Sequence, residues 1–417
     1  MRDPTSTLRA SRWRLNRLLY SGAMDPTMAT ARAPDADLAA ASAAFLAFDG
    51  TLYLDCAARA PRLRAVQAAG HAALDADAAP WRAADAPVEA QLESLRASVA
   101  RLLGDGDGNG IAALPSAAQG IATAAHNLEL AAGDTVLVLE GQFPSNLLPW
   151  QQRCVERGAR LLGVRREDGC DWTTAILEAV EREPRLRIVA LPQVRWDDGA
   201  LLDLDRIAPR VHAAGAALVL DLSQSLGALP ADIARWRPDF VVSVGYKWLL
   251  GPRGLTWLWA APQRRERGVA LAPHWSARDA GAGWRFPLDA APPYRPGARR
   301  FDAGGLDDPV RLAMARAGLD QVHAWGVARI AAALGERLQA FDEALDAHGL
   351  SAWKTPDHAP HITALRPPAA RLDAVFAAFQ RERIVCTRRY GLLRIAPHLH
   401  VGADALQHVA GVAAHAG

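Results

Sequence analysis

Ala217-Leu218-Val219-Leu220-Asp221-Leu222-Ser223-Gln224 and, further along, Phe240-Val241-Val242-Ser243-Val244-Gly245-Tyr246-Lys247-Trp248-Leu249-Leu250-Gly251-Pro252-Arg253-Gly254 carry the pattern that decides the fold. Each stretch opens with a short, mainly apolar run rich in Val and Leu, the mark of a strand buried on both faces. Each then turns polar, at Asp221 in the first and at Lys247 just past the second. Open α/β sheets bind their ligands at the carboxyl ends of such strands. An acid and an amine at the ends of successive strands can therefore face one crevice.

Working outward, Val136 to Leu139, Leu186 to Leu191 and Leu255 to Trp259 repeat the buried-strand pattern. Between them lie helical segments such as Gln91 to Leu103, Cys154 to Gly158 and Leu204 to Gly215, closed by or at Gly. This alternation predicts an α/β layer structure with a mostly parallel sheet. The Pro-rich stretch Pro287 to Pro296 interrupts it, and a helical segment from Pro309 to Leu345 and a smaller mixed region follow. That break sets the expected division: a large domain over 62–300, and a small α+β domain from 46–61 and 301–417. Residues 1–45, with Arg2, Arg9, Arg12, Arg14 and Arg17 but no secretory apolar centre, read as a disordered extension.

The 417 residues are half apolar and carry a formal net charge of +2, ordinary for a globular enzyme. No basic block points to nucleic acid, and no run of about 18 apolar residues points to a membrane. The four cysteines lack any zinc or redox spacing, which favours a reduced, cytoplasmic setting. Of 47 cationic Lys and Arg residues only Lys247 and Lys354 are lysine. A GC-rich gene exchanges Lys for Arg wherever a generic cation suffices, so a surviving lysine marks a need for its amine. Lys354, in Ser351-Ala352-Trp353-Lys354-Thr355-Pro356, fits no catalytic pattern and reads as a solvated surface cation.

A lysine amine beside a strand-end carboxylate suits pyridoxal phosphate, whose aldehyde the amine condenses with while the acid keeps the ring nitrogen protonated. A structural ion pair would use the same two residues. The wider sequence resembles the class V aminotransferases, from about Leu52 to His398. That resemblance implies fold type I, with a seven-stranded sheet in the large domain and a smaller C-terminal domain. It further implies that Asp221 pairs with the pyridine nitrogen, Gln224 contacts the phenolic oxygen, and Lys247 forms the Schiff base. Tyr53-Leu54-Asp55-Cys56-Ala57-Ala58 resembles the family's opening strand, with Cys56 where Asn is usual. Leu114-Pro115-Ser116-Ala117-Ala118-Gln119-Gly120 resembles the phosphate-binding turn, where Ser116, Ala117 and Ala118 would offer a hydroxyl and free helix amides. Phe143, in Gln142-Phe143-Pro144-Ser145-Asn146, would stack on the cofactor ring as in the kynureninase-like members, and Tyr246 would donate to the phosphate. Arg299 to Gly305 resembles the segment that reaches the neighbouring subunit's phosphate, with Gly305 where many members have Thr. Arg394, in Leu393-Arg394-Ile395-Ala396-Pro397-His398, matches the arginine that clamps the substrate carboxylate.

The family likeness thus predicts a homodimer with the active site at its interface and a small-molecule amino substrate. Transamination is the expected chemistry, with a kynureninase-like or C–S lyase, or an epimerase, as the alternative. Phe143 in place of the usual His, and a Thr387 to Leu393 turn too short for a cysteine-bearing loop, argue against a persulfide-forming desulfurase. Cys386 reads instead as a small core residue. His398 and His400 read as exposed or satisfied imidazoles rather than metal ligands, and His274 as a loop residue near the substrate. A cofactor-free binding protein on the same fold is the reading from another class, and retention of Asp221, Gln224, Lys247 and Arg394 together speaks against it. No G-x-G-x-x-G follows a strand, so dinucleotide chemistry is not expected.

Overall fold

A computed structural model of the protein describes residues 38, 40–82, 88–167, 169–281 and 283–416. After a 3-10 turn at Ala40–Ala44 come strand β1 (Leu52–Tyr53) and helices α1 (Arg64–Asp77) and α2 (Val88–Leu102). The sheet-forming part follows: β2 (Ile111–Leu114), α3 (Ala117–Asn127), β3 (Thr135–Leu139), α4 (Leu148–Arg157), β4 (Arg160–Val164), α5 (Trp172–Arg182), β5 (Leu186–Pro192) and α6 (Leu204–Ala213). It continues through β6 (Ala217–Asp221), α7 (Ile233–Trp236), β7 (Phe240–Val244), β8 (Thr256–Ala260) and α8 (Pro262–Arg265). The remainder holds α9 (Pro309–Trp325), α10 (Val327–Ala347), β9 (Thr363–Leu365), α11 (Ala369–Arg381), β10 (Ile384–Val385), β11 (Thr387–Arg389), β12 (Leu392–Ile395) and α12 (Ala403–His415).

Seven strands form one sheet in the order β2-β8-β7-β6-β5-β3-β4. Only β8 runs antiparallel to its neighbours in this sheet. β3, β7 and β8 are buried at every position, as strands covered on both faces must be. Asp171, Asp203 and Asp308 accept hydrogen bonds from Thr174, Arg206 and Arg311 backbone N–H groups, satisfying first-turn donors of α5, α6 and α9. Because β2, β3, β5, β6 and β7 point the same way, their carboxyl ends share one edge of the sheet. α3 lies close over it: a Cβ on Gly120 would stand 2.9 Å from the Val242 methyls on β7. Only glycine lets the helix approach this far.

The last residues of the expected extension are packed. Residues 1–37 and 39 lie outside the described residues, but Leu38, Ala41 and Phe45 are buried, and the Phe45 ring lies 5.9 Å from that of Trp325. The expected boundary near residue 300 also differs from where the cores part. The Pro-rich stretch is a surface loop, whereas Leu312, Leu319 and Val322 of α9 belong to the large core. That core reaches Leu334 within α10, and the second core begins at Leu338 on the same helix. The helical run from Pro309 breaks at Gly326, whose φ of 78° starts α10 in a new direction. The second core joins α10, α11 and α12 to the antiparallel sheet β11-β12-β9, and Leu54 beside β1 packs into it.

A buried ion pair ties the two ends of the large unit together. Arg96 on α2 grips Asp302 with Nη1 at 3.0 Å and Nη2 at 2.6 Å, and Asp302 accepts the Ala113 N–H at 2.7 Å. This holds the segment that leads into Gly304 and Gly305 alongside β2.

Candidate active site

Five strand ends supply the cavity. Ser116 follows β2, Phe143 follows β3, Trp196 follows β5, Asp221 ends β6 and Lys247 follows β7, and all five border one cavity. Beyond β7 the Gly245 N–H donates to Leu255 O at 2.9 Å, the Gly251 N–H to Gly245 O at 2.8 Å and the Leu250 N–H to Lys247 O at 3.1 Å. This tight loop, with Leu250 at φ 58°, keeps Lys247 at the strand end. α9 packs onto it through Gly318, where a Cβ would stand 2.8 Å from Leu249 O.

Lys247 and Asp221 are both buried. Burial pushes the Lys247 amine down to about 8, with Asp221 opposing and Arg394 assisting the shift. The free amine is thus reached far more readily than in an exposed lysine, about a tenth of it being present at pH 7. Burial also raises the Asp221 carboxyl, opposed by hydrogen bonding to Ser223 and by Lys247. The Ser223 N–H donates to Asp221 Oδ1 at 3.0 Å and fixes the carboxylate's direction. Lys247 Nζ lies 5.5 Å from the centre of the ring of Phe143, an exposed residue that borders the cavity.

Gln224 is oriented by its neighbours. The Trp248 indole N–H donates to Gln224 Oε1 at 3.1 Å, and Gln224 Nε2 donates to Ala57 O at 3.0 Å. The second Nε2 hydrogen is left for the cavity that Gln224 borders. At the start of α3, Ser116 Oγ accepts the Gln119 N–H at 3.2 Å. The Ala117 and Ala118 amides, first in the helix, have no acceptor within it. Tyr246 borders the same cavity, its hydroxyl raised chiefly by burial and its ring 5.3 Å from the Arg253 guanidinium carbon. Gly305 lies elsewhere: it is exposed, at φ 72°, and does not border this chain's cavity.

Arg394, on β12, is buried and held from two sides. Nη2 pairs with Asp55 Oδ1 at 2.7 Å, Nη1 donates to the Trp196 carbonyl, and Nε is buried without a partner. Thr387 Oγ1 donates to Asp55 Oδ2 at 2.5 Å, which steadies the acid. Residues to which the sequence assigned no role also border the cavity, among them Trp196, Ser223 and Asn146. Asn146 Nδ2 is buried without a partner, a donor left for a ligand. Position just past a buried strand was the signal that could have found Trp196.

The histidines depart from expectation. His361 and His398 are fully buried against Trp248, with ring centres 4.5 Å and 5.7 Å from it, and His400 stacks on Phe48 at 4.6 Å. His361 Nδ1, His398 Nε2 and His400 Nδ1 have no hydrogen-bond partner, so these imidazoles are neither exposed nor fully satisfied. Burial pushes His361 and His400 down to about 4, and it pushes His398 well below the usual imidazole value. Their depressed values mean that the unfolded chain takes up protons the folded chain refuses. The stability they contribute is complete above the unfolded value of 6.5 and drains away as pH falls toward 4. For a buried imidazole this is on the order of 3 kcal/mol. Thermal melts should therefore fall steeply between pH 6.5 and 4.5, and His400→Gln should flatten that slope; an unchanged slope would remove His400 from the account.

His274 is a scaffold residue of its loop: its Nε2 lies 2.8 Å from Asp302 O and its Nδ1 2.8 Å from Ser276 Oγ. Lys354 is not freely solvated, because Asp346 holds its Nζ at 2.6 Å and 2.7 Å. Cys386 sits between β10 and β11, partly buried, with its thiol pushed up to about 12, mainly by burial.

A cavity with a buried amine, an acid, an exposed aromatic residue and a helix N-terminus fits a flat, anionic cofactor. The donor set matches pyridoxal phosphate: amine for its aldehyde, carboxylate for its ring nitrogen, helix amides for its phosphate. The family model for class V aminotransferases matches residues 52–366, and the chain belongs to that family of pyridoxal phosphate-dependent enzymes. An uncharacterized aminotransferase of Bacillus subtilis (strain 168) is 24% identical over 76% of this chain and 81% of its own length. A cysteine desulfurase of Klebsiella pneumoniae (strain 342) is 30% identical over 53% of this chain, and the isopenicillin N epimerase of Streptomyces clavuligerus 27% identical over 53%. The matches span 55% and 56% of those two relatives. Among solved structures, the apo cysteine desulfurase of Thermococcus onnurineus NA1 superposes with a TM-score of 0.76 at 18% identity, covering 92% of this chain and 98% of that one. A cystine C–S lyase in complex with cysteine persulfide gives 0.76 at 17% identity, covering 88% and 98%. These superpositions show the shared fold.

Proposed function

We propose that the protein is an aminotransferase acting on an amino acid or an amine-bearing small molecule, with Lys247, Asp221 and Arg394 as its working residues. The convergence of Lys247, Asp221, Phe143 and the α3 amides on one cavity carries this reading. When bound, pyridoxal phosphate supplies an electron sink for a bond at the substrate's Cα. Lys247 would hold the cofactor through its amine, and as a free amine it would be placed to move the substrate's Cα proton; burial has already pushed that amine down to about 8. Asp221 keeps the ring nitrogen protonated, and Phe143 packs on the ring face. Gln224 donates to the phenolic oxygen, while Ser116, the Ala117 and Ala118 amides and Tyr246 take the phosphate. Gly305 serves the neighbouring subunit's phosphate in a homodimer whose interface completes the site, and the setting is cytoplasmic. Arg394 takes the substrate carboxylate through the edge now occupied by Asp55 or through its free Nε.

Lyase chemistry is the second reading, favoured by the kynureninase-like Phe143-Pro144-Ser145 segment, and epimerisation is a third. Persulfide chemistry has less support: burial pushes Cys56 and Cys386 upward, and no cysteine borders the cavity. Mixing the loaded protein with an amino-acid panel decides among them. Conversion to pyridoxamine phosphate supports transamination, release of pyruvate, alanine or sulfide supports a lyase, and loss of Cα chirality without either supports an epimerase.

The clamp on Gln224 makes a separate prediction. Trp248→Phe keeps a ring between His361 and His398 but removes the N–H that fixes the amide. Cofactor affinity should weaken about three- to ten-fold, as for one lost hydrogen bond, and the pH midpoint of the visible band should shift. An unchanged midpoint would mean that Gln224 does not face the cofactor's phenolic oxygen.

A further inference from the structure

Two aromatic rings, Phe143 and Trp196, border the cavity, and a third, Tyr390, packs against Trp196 outside it. Trp196 borders the cavity, and its indole N–H donates to Gly141 O at 2.9 Å, so the ring plane is fixed. Its ring meets Phe143 edge-on at 5.3 Å and Tyr390 edge-on at 6.0 Å. Its backbone carbonyl accepts from Arg394. The position that would take a substrate carboxylate is thereby next to the aromatic rim.

Tyr390 is the unusual member. It is 77% exposed and stands at the tip of the hairpin between β11 and β12, at φ 45° with Gly391 at φ 79°. A two-residue turn of this kind favours Asn or Gly at its first position, and a bulky aromatic there is strained. Neither burial nor turn geometry accounts for a tyrosine at this position. Its ring instead extends the Phe143–Trp196 surface outward, on the same hairpin that bears Arg394.

We propose that the amino substrate carries an aromatic side chain, which lies against Trp196 and Tyr390 while its carboxylate is held by Arg394. This rests on the reading of Lys247 and Arg394 given above. Edge-to-face contacts of aromatic rings add to simple burial, so an aromatic amino acid gains here over a small one.

The test uses the cofactor-loaded, full-length protein and follows the visible band with phenylalanine, tyrosine, tryptophan, alanine and glutamate. The aromatic amino acids should react with kcat/KM at least about tenfold above alanine and glutamate. Tyr390→Gly removes the ring and relieves the positive φ, so its melting temperature should equal or exceed that of the wild type. Its ratio of aromatic to alanine kcat/KM should fall about fivefold, while Tyr390→Phe keeps the ratio. Equal or better reaction with alanine or glutamate, or an unchanged ratio in Tyr390→Gly, overturns the aromatic substrate but leaves the aminotransferase reading standing. A protein that takes up no cofactor overturns both.

Discussion

Lys247→Ala should give a folded protein without a visible cofactor band and with turnover reduced by at least about 10⁴-fold. The substitution removes an amine that is costly to bury and trims a side chain at the cavity wall, so the core around β7 is not opened. Lys354, the chain's other lysine, is held by Asp346 and lies in the second core's region, far along the chain from the strand ends. It offers no substitute. Soluble, monodisperse protein with an unaltered melting profile and no band is the expected result, checked by absorption and calorimetry together. Retention of the band and of turnover would require another amine to hold the cofactor, and none is available beside Asp221.

Asp221→Asn comes second in expected effect. Asn keeps the shape and can still accept the Ser223 N–H, but it cannot stabilise a proton on a ring nitrogen. Loss of one placed electrostatic partner of developing charge costs about 10²–10³-fold in kcat. Cofactor should still bind, since Lys247, Phe143 and the α3 amides are untouched. The signature is therefore a band that persists while the half-reaction slows. A near-normal rate would mean that the acid is structural, the ion-pair reading that spacing alone left open.

The strands were legible because burial on both faces writes an uninterrupted apolar run, and Phe240–Val244 matches the observed β7 end to end. β4 was not seen: its Arg160, Leu161, Leu162 and Gly163 are only partly buried or exposed, so the run that would announce it is broken. The site followed from strand ends. Lys247 and Asp221 are found where that rule put them, and family likeness supplied Phe143 and the α3 turn. What stayed hidden depends on tertiary neighbours. That Trp248 fixes Gln224 rests on a side-chain contact 24 positions apart, and that His361 and His398 flank that indole rests on contacts more than a hundred positions apart, neither of which local pattern encodes. The parting of the two cores was hidden for a related reason. A proline-rich segment marks where regular structure stops, not where one core stops, and α9 beyond it packs back onto the first core.

The central claim is that pyridoxal phosphate is held by Lys247 at the carboxyl ends of β6 and β7. Borohydride reduction of the cofactor-loaded protein, followed by peptide mass mapping, tests it directly, because the chain contains only two lysines. The account predicts a pyridoxyl adduct on the peptide containing Lys247, at one per chain, and none on the peptide containing Lys354. An adduct confined to Lys354, or no adduct from protein incubated with excess cofactor, would contradict it.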